Sequence, residues 1–134
     1  MAFKLTVVTP DGIAYQSQAD SVVAKTILGD ICILSHHADI VTVIDVGRVK
    51  ITSEGKARHA ACSGGLLSMS HNECTLVATT FEFAEDIDKA RAEAAKKRAE
   101  DRMSAAYDKK HATLAKAKIQ RAMCRLEVSE SIMQ

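Results

Sequence analysis

The sequence predicts a β + α architecture: an N-terminal antiparallel β-sandwich of about ten short strands, followed by a C-terminal antiparallel two-helix hairpin. Residues 1–84 hold all six glycines, the only proline and 24 Val, Ile or Thr residues, a composition typical of strands joined by turns. Residues 85–134 hold no Gly or Pro and five Val, Ile or Thr residues, but twelve Lys or Arg. This change predicts two domains, 1–84 and 85–134.

Short apolar or alternating runs between turn signals predict the strands of the first domain. The run 4–9 ends at Pro10-Asp11-Gly12, a turn signal, and 15–25 forms either two strands or one strand that breaks near Ala19-Asp20. Further strands are predicted at 30–34, 41–44, 48–52, 57–61, 66–70 and 74–79, with hairpin turns at 53–56 and 70–72.

Two of these runs also predict which side chains are buried. Val49 and Ile51 alternate with Arg48 and Lys50, so the two pairs are predicted to face opposite sides of the sheet. The run 31–34 is apolar throughout, which predicts a strand covered on both faces.

Alanine-rich stripes at helical spacing predict the two helices of the second domain. Glu85-Asp86 supplies acids at the positive end of the first helix, and a polar stretch at 108–110 predicts the turn between the helices. The stripes consist of Ala92, Ala95, Ala99, Met103 and Ala106 in the first helix, and of Ala112, Ala115, Ile119, Ala122 and Leu126 in the second. Since a buried CH₂ contributes only about 0.8 kcal/mol, such a seam fits a hairpin that opens for a few kcal/mol. It fits an ordinary stable hairpin equally well.

The composition argues against nucleic-acid and membrane-spanning proteins. Aromatic residues make up 4% of the chain, there is no Trp, and the net charge is +1, so neither a base-stacking surface nor a general attraction to nucleic acid or anionic lipid is expected. The apolar runs are far shorter than the roughly 18 residues needed to span a bilayer. The N-terminal residues do not resemble a signal peptide, so we expect a cytoplasmic location.

The four cysteines are widely spaced, which predicts reduced thiols and not a disulfide framework. Cys32 with His36 and His71 with Cys74 are candidate metal ligands. A zinc site needs a tighter set of four ligands, so no metal site is predicted.

Five segments carry a resemblance over nearly the whole chain. They are 8–12 (VTPDG), 29–38 (GDICILSHHA), 63–67 (SGGLL), 84–88 (AEDID) and 121–126 (RAMCRL). In order and spacing they resemble the epsilon subunit of bacterial F-type ATP synthase, a non-catalytic part of the central stalk of a proton-translocating complex.

The resemblance implies a set of partners and a location. The sandwich would bind the gamma subunit and the rotor ring of c subunits, and the hairpin would rise along gamma toward the alpha and beta subunits to block ATP hydrolysis. The protein would be peripheral, at the cytoplasmic face of the bacterial inner membrane. Asp30 and His37 match ring-facing positions, in a loop that departs from the family pattern at Cys32, Ser35, His36 and Asp39.

A regulatory ATP site is also implied by the resemblance. The segment 87–92 (IDKARA) matches a family motif that binds ATP in some members, and the matching residues are Glu82, Asp88, Arg91, Arg121 and Arg125. Arg121 and Arg125 lie one helical turn apart, where two guanidinium groups can grip phosphate oxygens. Without a glycine-rich phosphate loop or a catalytic base, ATP would be held and not hydrolysed. The alternative is that these residues are solvated charges or ion pairs across the hairpin.

Two other function classes fit parts of the sequence. A free-standing β-sandwich module with a helical tail for a protein or RNA partner agrees with the net charge of +3 in residues 85–134, although acids are interleaved with the bases there. An enzyme would have five histidines and four cysteines as candidate bases and nucleophiles. No Cys or Ser lies in a recognisable activating motif.

Overall fold

The computed structural model describes residues 2–105 and 109–131. Its strands are β1 Phe3–Thr9, β2 Gly12–Ala19, β3 Ser21–Thr26, β4 Gly29–Leu34, β5 Ile40–Ser53, β6 Lys56–Ser70, β7 Glu73–Ala78 and β8 Phe81–Phe83. A 3-10 turn, Ala84–Asp86, leads to helices α1, Lys89–Ser104, and α2, Lys109–Ser131. Two predicted features, the stripe residue Ala106 and the turn residue Asp108, lie outside the described residues.

The strands form one sheet in the order β2-β1-β7-β6-β5-β3-β4, and β8 pairs with β6. Every pairing is antiparallel except that of β1 with β7, which is parallel and corrects the prediction of an antiparallel sandwich at this position. Strands so far apart in sequence are not joined by a hairpin, so their direction is not fixed by a local turn.

The described residues contain eight strands, not the predicted ten or so, because two predicted gaps are spanned by continuous strands. Runs 41–44 and 48–52 belong to β5, and runs 57–61 and 66–70 belong to β6. Gly64 and Gly65 have φ angles of 74° and 150°, so the chain bends there without leaving the ladder. The predicted break near Ala19-Asp20 is confirmed.

The bends of β5 and β6 turn the two ends of the sheet toward one shared core, which confirms the predicted β-sandwich. The core includes Phe3, Leu5, Leu67 and Leu76 from one part of the sheet and Val22, Ile33, Val49 and Ile51 from the other. Ser53 Oγ donates to the Gln18 carbonyl over 2.7 Å and ties β5 to β2.

Of the two predictions about which side chains are buried, one is confirmed and one is wrong. Val49 and Ile51 are buried while Arg48 and Lys50 are exposed, as predicted. The expectation that 31–34 is covered on both faces is wrong, because β4 is an edge strand with one open face. Of this run, Ile33 is buried but Cys32 and Leu34 are exposed.

Both predicted hairpin turns are confirmed, and each has two consecutive residues with positive φ. These are Glu54 and Gly55 between β5 and β6, and His71 and Asn72 between β6 and β7. Positive φ at both central residues gives a turn whose twist matches the flanking strands.

Asn72 also joins three separate segments. Its Oδ1 accepts from the His36 backbone N–H over 2.7 Å and from Ser35 Oγ over 3.3 Å, and its Nδ2 donates to the Ala2 carbonyl over 3.2 Å. The side chain therefore ties the chain start and the loop after β4 to the β6–β7 turn.

We expect Asn72→Ala to lower the free energy of unfolding by about 1–3 kcal/mol, because it removes these hydrogen bonds and puts an alanine at positive φ. Asn72→Gly keeps the backbone freedom and loses only the bonds, so it should cost less. Urea unfolding of both variants measures the two contributions. Equal stability of Asn72→Ala and the wild type would contradict this role.

The helices pack through the predicted alanine seam. Ala92 and Ala99 in α1 and Ala115 and Ala122 in α2 are buried, whereas Met103 is 44% exposed and does not join the seam. A second cluster, formed by Ala61, Ala84 and Val128 with Ile87 and Cys124 against it, seats α2 on the sheet. None of the helices in the described residues is long and apolar enough to cross a bilayer.

Candidate nucleotide-binding site

A charged cleft lies where the start of α1 meets β8 and α2. It has a volume of about 350 Å³, and its charged lining residues are Glu82, Asp86, Asp88, Arg91, Arg98 and Arg125. The structure therefore brings together four of the five residues predicted to hold a nucleotide: Glu82, Asp88, Arg91 and Arg125.

The fifth, Arg121, lines an adjoining cleft of about 280 Å³. Arg98 and Arg125 line both clefts, so the two form one continuous depression along the hairpin, which we call the hairpin cleft. Arg121 and Arg125 share this side of α2, as their spacing predicts.

Three basic residues of the hairpin cleft were not predicted from the sequence: Arg98, Arg102 and Lys118. Their spacing along the two helices would have indicated them. Arg98 lies seven residues after Arg91 and Arg102 four residues after that, so the three recur on one side of α1. Lys118 precedes Arg121 by three residues, on the side of α2 that faces them.

Charge is unevenly distributed along the hairpin cleft. The acids Glu82, Asp86 and Asp88 all lie in the part nearer β8, and the part that contains Arg121 is lined by five basic residues and no acid. We call the part that contains all three acids the acidic end, although three arginines also line it, and the other part the basic end. An elongated ligand with hydrogen-bond donors at one end and negative charge at the other would match this distribution of charge.

Two of the predicted residues already have partners within the protein. Arg125 Nε lies 2.9 Å from Glu82 Oε1, in a partly buried ion pair. Asp88 is the N-cap of α1, and its side chain accepts from the Arg91 backbone N–H over 3.1 Å. Arg125 and Asp88 therefore each have a structural role without a ligand, Arg125 in an ion pair and Asp88 as a helix cap.

The junction between sandwich and hairpin is fixed by Arg58. Its guanidinium lies 3.6 Å from the centre of the Phe83 ring and forms an ion pair with Glu85 in the 3-10 turn. The pKa of Glu85 is lowered, first by a hydrogen bond from its own backbone N–H and then by that from Arg58. The hydrogen bond to Glu85 raises the pKa of Arg58.

The Glu85 carboxylate should stabilise the fold only when ionised. Because its pKa in the folded chain lies below the ordinary value of 4.5, its contribution is complete above that pH and is lost as the pH falls through the folded value. We expect Glu85→Gln to cost at most about 1 kcal/mol at pH 7, since the pair is half exposed, and nothing in strong acid. Urea unfolding between pH 2 and 7 measures this, and in an Arg58→Gln background the cost should shrink. A cost that persists at pH 2 would contradict the assignment.

The two residues predicted to face a rotor ring are far apart. Asp30 is the second residue of β4, and His37 lies three residues beyond its end, with its Nδ1 2.7 Å from the Ala38 carbonyl oxygen. At about 3.3 Å per residue, the strand alone separates them by more than 10 Å. The structure does not bring Asp30 and His37 into one contact point.

An apolar row crosses the outer face of the sheet. Val43, Leu66 and Val77 are cross-strand neighbours on β5, β6 and β7, each about half exposed. Val8 on β1 and Ile13 on β2 continue the line. The sequence reasoning missed these residues, which we call the apolar row, because only the strand register aligns them.

The cysteines are free thiols in different environments. Burial raises the pKa of Cys62 and of Cys74 to about 11, and it also raises the pKa of Cys124. Within residues 2–105 and 109–131, no group of three or more His, Cys, Asp or Glu side chains is arranged to hold a metal ion.

Comparisons with solved structures agree with the observed fold. A chain of the mitochondrial ATP synthase of Euglena gracilis aligns with a TM-score of 0.79 at 18% identity, covering 97% of this chain and 80% of that one. A chain of the central stalk and c-ring structure of the Tetrahymena thermophila mitochondrial ATP synthase aligns with a TM-score of 0.61 at 14% identity, covering 94% and 95%.

Comparisons of sequence identify the family as well as the fold. Residues 2–84 match the family model for the beta-sandwich domain of the ATP synthase delta/epsilon chain, and residues 85–130 match that for its long alpha-helix domain. The ATP synthase epsilon chain of Bacillus velezensis is 40% identical over 94% of this chain and 96% of its own length. That of Lactobacillus johnsonii is 42% identical over 96% and 92%. These relatives favour a subunit of ATP synthase over a free-standing module and over an independent enzyme.

The predicted resemblance is thereby confirmed across both parts of the molecule: the chain belongs to the ATP synthase delta/epsilon chain family and matches its epsilon chains over almost its whole length.

Proposed function

We propose that the chain is a non-catalytic central-stalk subunit of a proton-translocating F-type ATP synthase, whose hairpin inhibits ATP hydrolysis unless bound ATP holds it against the sandwich. The observation that carries the regulatory part is the hairpin cleft, in which residues of α1, α2 and β8 share one charged surface. The family match supports the stalk assignment.

The apolar row is the surface we assign to the gamma subunit. It presents apolar side chains from five neighbouring strands, exposed in Ile13, Val43, Leu66 and Val77 and partly exposed in Val8, and a contiguous apolar surface of this kind marks an interaction site. A broad sheet face suits a rigid, lasting contact with a rotating shaft better than a loop does, because its strands are held by the core beneath it.

ATP fits the charge distribution of the hairpin cleft. The adenine amino group would donate to the acidic end, at Glu82 or Asp88, and the phosphates would lie at the basic end, near Arg98, Arg121 and Arg125. Arg91 lies one turn after Asp88, between the two ends. No phosphate loop is part of this arrangement, so the nucleotide is a regulator and not a substrate.

Binding rearranges the contacts that exist without ligand. Arg125 is held by Glu82, so an incoming phosphate competes for its guanidinium and releases the carboxylate toward the base. Asp88 keeps one oxygen as the cap of α1 and has a second for the ligand.

The alanine seam makes the hairpin responsive. The helix–helix contact buries mostly methyl groups, and α2 is seated on the sheet by a small cluster around Val128. A ligand that binds only the docked hairpin shifts the population by its differential affinity for the two states. At low ATP the hairpin would extend along gamma toward the alpha and beta subunits and block hydrolysis.

The remaining contacts follow the same assembly. We assign Asp30 and His37 to the side of the chain that meets the rotor ring of c subunits, as two separate contacts at the two ends of β4. The turn beside Asp30 carries Ile27 and Leu28, both largely exposed, which adds an apolar tip to that contact. The chain would be peripheral at the cytoplasmic face of the bacterial inner membrane.

Calorimetric titration of the full chain with ATP tests the regulatory site. We expect saturable binding, and a loss of affinity of at least about 100-fold in the Arg121→Ala, Arg125→Ala double variant, because two charge-assisted contacts are removed. The control is Lys109→Ala, Lys110→Ala, which removes the same charge from exposed positions of α2 outside the cleft. Identical heats from the wild type and the cleft variant would refute the site.

A further inference from the structure

A second groove lies on the other side of α2, between that helix and the outer face of β3 and β5. Its volume is about 550 Å³, and it shares no lining residue with the hairpin cleft. Gln120 and Met123 belong to the helix wall, and Arg48, Lys50 and His59 belong to the sheet wall. We call it the sheet groove.

Positive charge is concentrated at one part of the sheet groove. Arg48 and Lys50 are alternate residues of β5, so both project from the same face, and His59 lies directly across from Lys50 on β6. Within the described residues, no carboxylate lies within ion-pair distance of Arg48 or Lys50, although four other ion pairs form there. Two cations so close together without an anion repel each other.

His59 adds a polar atom that lacks a partner. Its Nδ1 is buried and has no hydrogen-bond partner, one of two such side-chain atoms in the described residues. Burial, followed by the charges of Arg48 and Lys50, lowers the pKa of His59, so the ring is neutral at pH 7. A buried imidazole nitrogen without a hydrogen-bond partner is unusual in a folded protein, and a ligand bound beside the ring would account for it.

A third cation is held in place by the absence of a side chain at Gly47. A Cβ there would lie 2.8 Å from Lys25 Cδ and 2.9 Å from Lys25 Cβ, so the lysine stem lies directly across this glycine. The sheet groove also contains Asp30 and Glu127. Asp30 is on β4, across from Lys25 and two strands from Lys50, so it lies roughly 10 Å from Lys50. Neither Asp30 nor Glu127 forms an ion pair with Arg48 or Lys50, so the part of the groove at these two residues has an excess of positive charge.

We propose that the sheet groove binds a phosphate group at Arg48, Lys50 and His59. A guanidinium, an ammonium and an imidazole N–H are the donors that a tetrahedral oxyanion accepts from, and they come from two adjacent strands of a rigid sheet. The described lining has no Phe, Tyr or Trp on which a base could stack, so the ligand is free phosphate or a small phosphate ester and not a second nucleotide. The site does not depend on ATP binding in the hairpin cleft.

Nuclear magnetic resonance titration of the full chain tests the site. Potassium phosphate is added at constant ionic strength against potassium chloride, and the amide of Gly47 and the ring of His59 are followed. A second arm uses glycerol phosphate to distinguish free phosphate from an ester, and tighter binding in either arm identifies the source. We expect saturable shifts on both walls of the groove, including the Gln120 and Met123 amides.

The variants decide between a built site and general attraction. Arg48→Gln, Lys50→Gln should weaken phosphate binding at least tenfold, and Lys4→Gln, Lys56→Gln, which removes the same charge from other exposed strand positions, should not. The Arg121→Ala, Arg125→Ala variant should bind phosphate in the sheet groove as the wild type does, so failure here is distinct from failure of the ATP site. Shifts no larger than those in chloride, or equal in the wild type and the Arg48, Lys50 variant, would overturn the proposal.

Discussion

Gly65→Ala is expected to destabilise the sandwich by more than about 3 kcal/mol, a large fraction of the free energy of unfolding of an ordinary domain. A Cβ at this position would lie 1.8 Å from the Val77 carbonyl oxygen and 2.8 Å from its carbon, and the residue has a φ of 150°. The obstacle is backbone of the neighbouring strand β7, so no side chain can rotate away. Relief requires β6 and β7 to separate where β6 bends, next to the buried Leu67 and Ala78.

Gly12→Ala is the matched control, since it shares the strained backbone without the clash. Its φ is 114°, but nothing lies within 4 Å of the added Cβ, so the cost should be limited to about 1–3 kcal/mol of strain. Urea unfolding followed by circular dichroism compares the two variants. Similar midpoints for both would show that close approach of β7 is not what requires glycine at position 65.

Leu66→Glu is expected to abolish binding to the gamma subunit, with a loss of affinity of at least about 100-fold. Leu66 is the central member of the apolar row, flanked by Val43 and Val77, and about half of its side chain is exposed in the isolated chain. In the proposed complex the new carboxylate would be buried among apolar groups without a partner, which is costly. Because the site faces solvent in the free chain, the variant should still fold.

Ile27→Glu serves as the control for that variant. Ile27 is more exposed than Leu66, but it lies in the turn between β3 and β4, outside the apolar row. The affinities of Leu66→Glu and Ile27→Glu for the gamma subunit of the same organism are measured with each purified variant and gamma immobilised on a sensor surface. Wild-type affinity in Leu66→Glu, or equal losses in both variants, would place the gamma contact elsewhere.

Local signals predicted much of this fold, and longer-range pairing explains what they missed. The turns at 53–56 and 70–72 depend on a few adjacent residues, so they could be recognised from sequence. The joined strands β5 and β6 could not, because Gly64 and Gly65 read as a break while the ladder to β5 and β7 continues around them. The open face of β4 follows from its place at the edge of the sheet, which no local pattern encodes.

In the candidate site, too, residues on one helix could be predicted from the sequence, whereas contacts between elements could not. Arg121 and Arg125 share one helix, and their spacing correctly predicted a shared surface. Arg98 was missed because its role depends on how α1 lies against α2, although its spacing from Arg91 hinted at it. Asp30 and His37 came only from the resemblance, which named two positions but not the distance between them; that distance follows from the extended strand β4.

Hydrogen exchange of the full chain, measured with and without ATP, tests whether the nucleotide holds the hairpin, because it reports docking of the hairpin segment by segment. Without nucleotide, we expect Lys89–Ser104 and Lys109–Ser131 to exchange much faster than Phe3–Thr9 and Glu73–Ala78. We expect ATP to slow exchange in the two helices and to leave the strands unchanged, and we expect Arg121→Ala, Arg125→Ala to remove this response. Helices that exchange as slowly as the strands, or at the same rate with and without ATP, would contradict a hairpin held by the nucleotide.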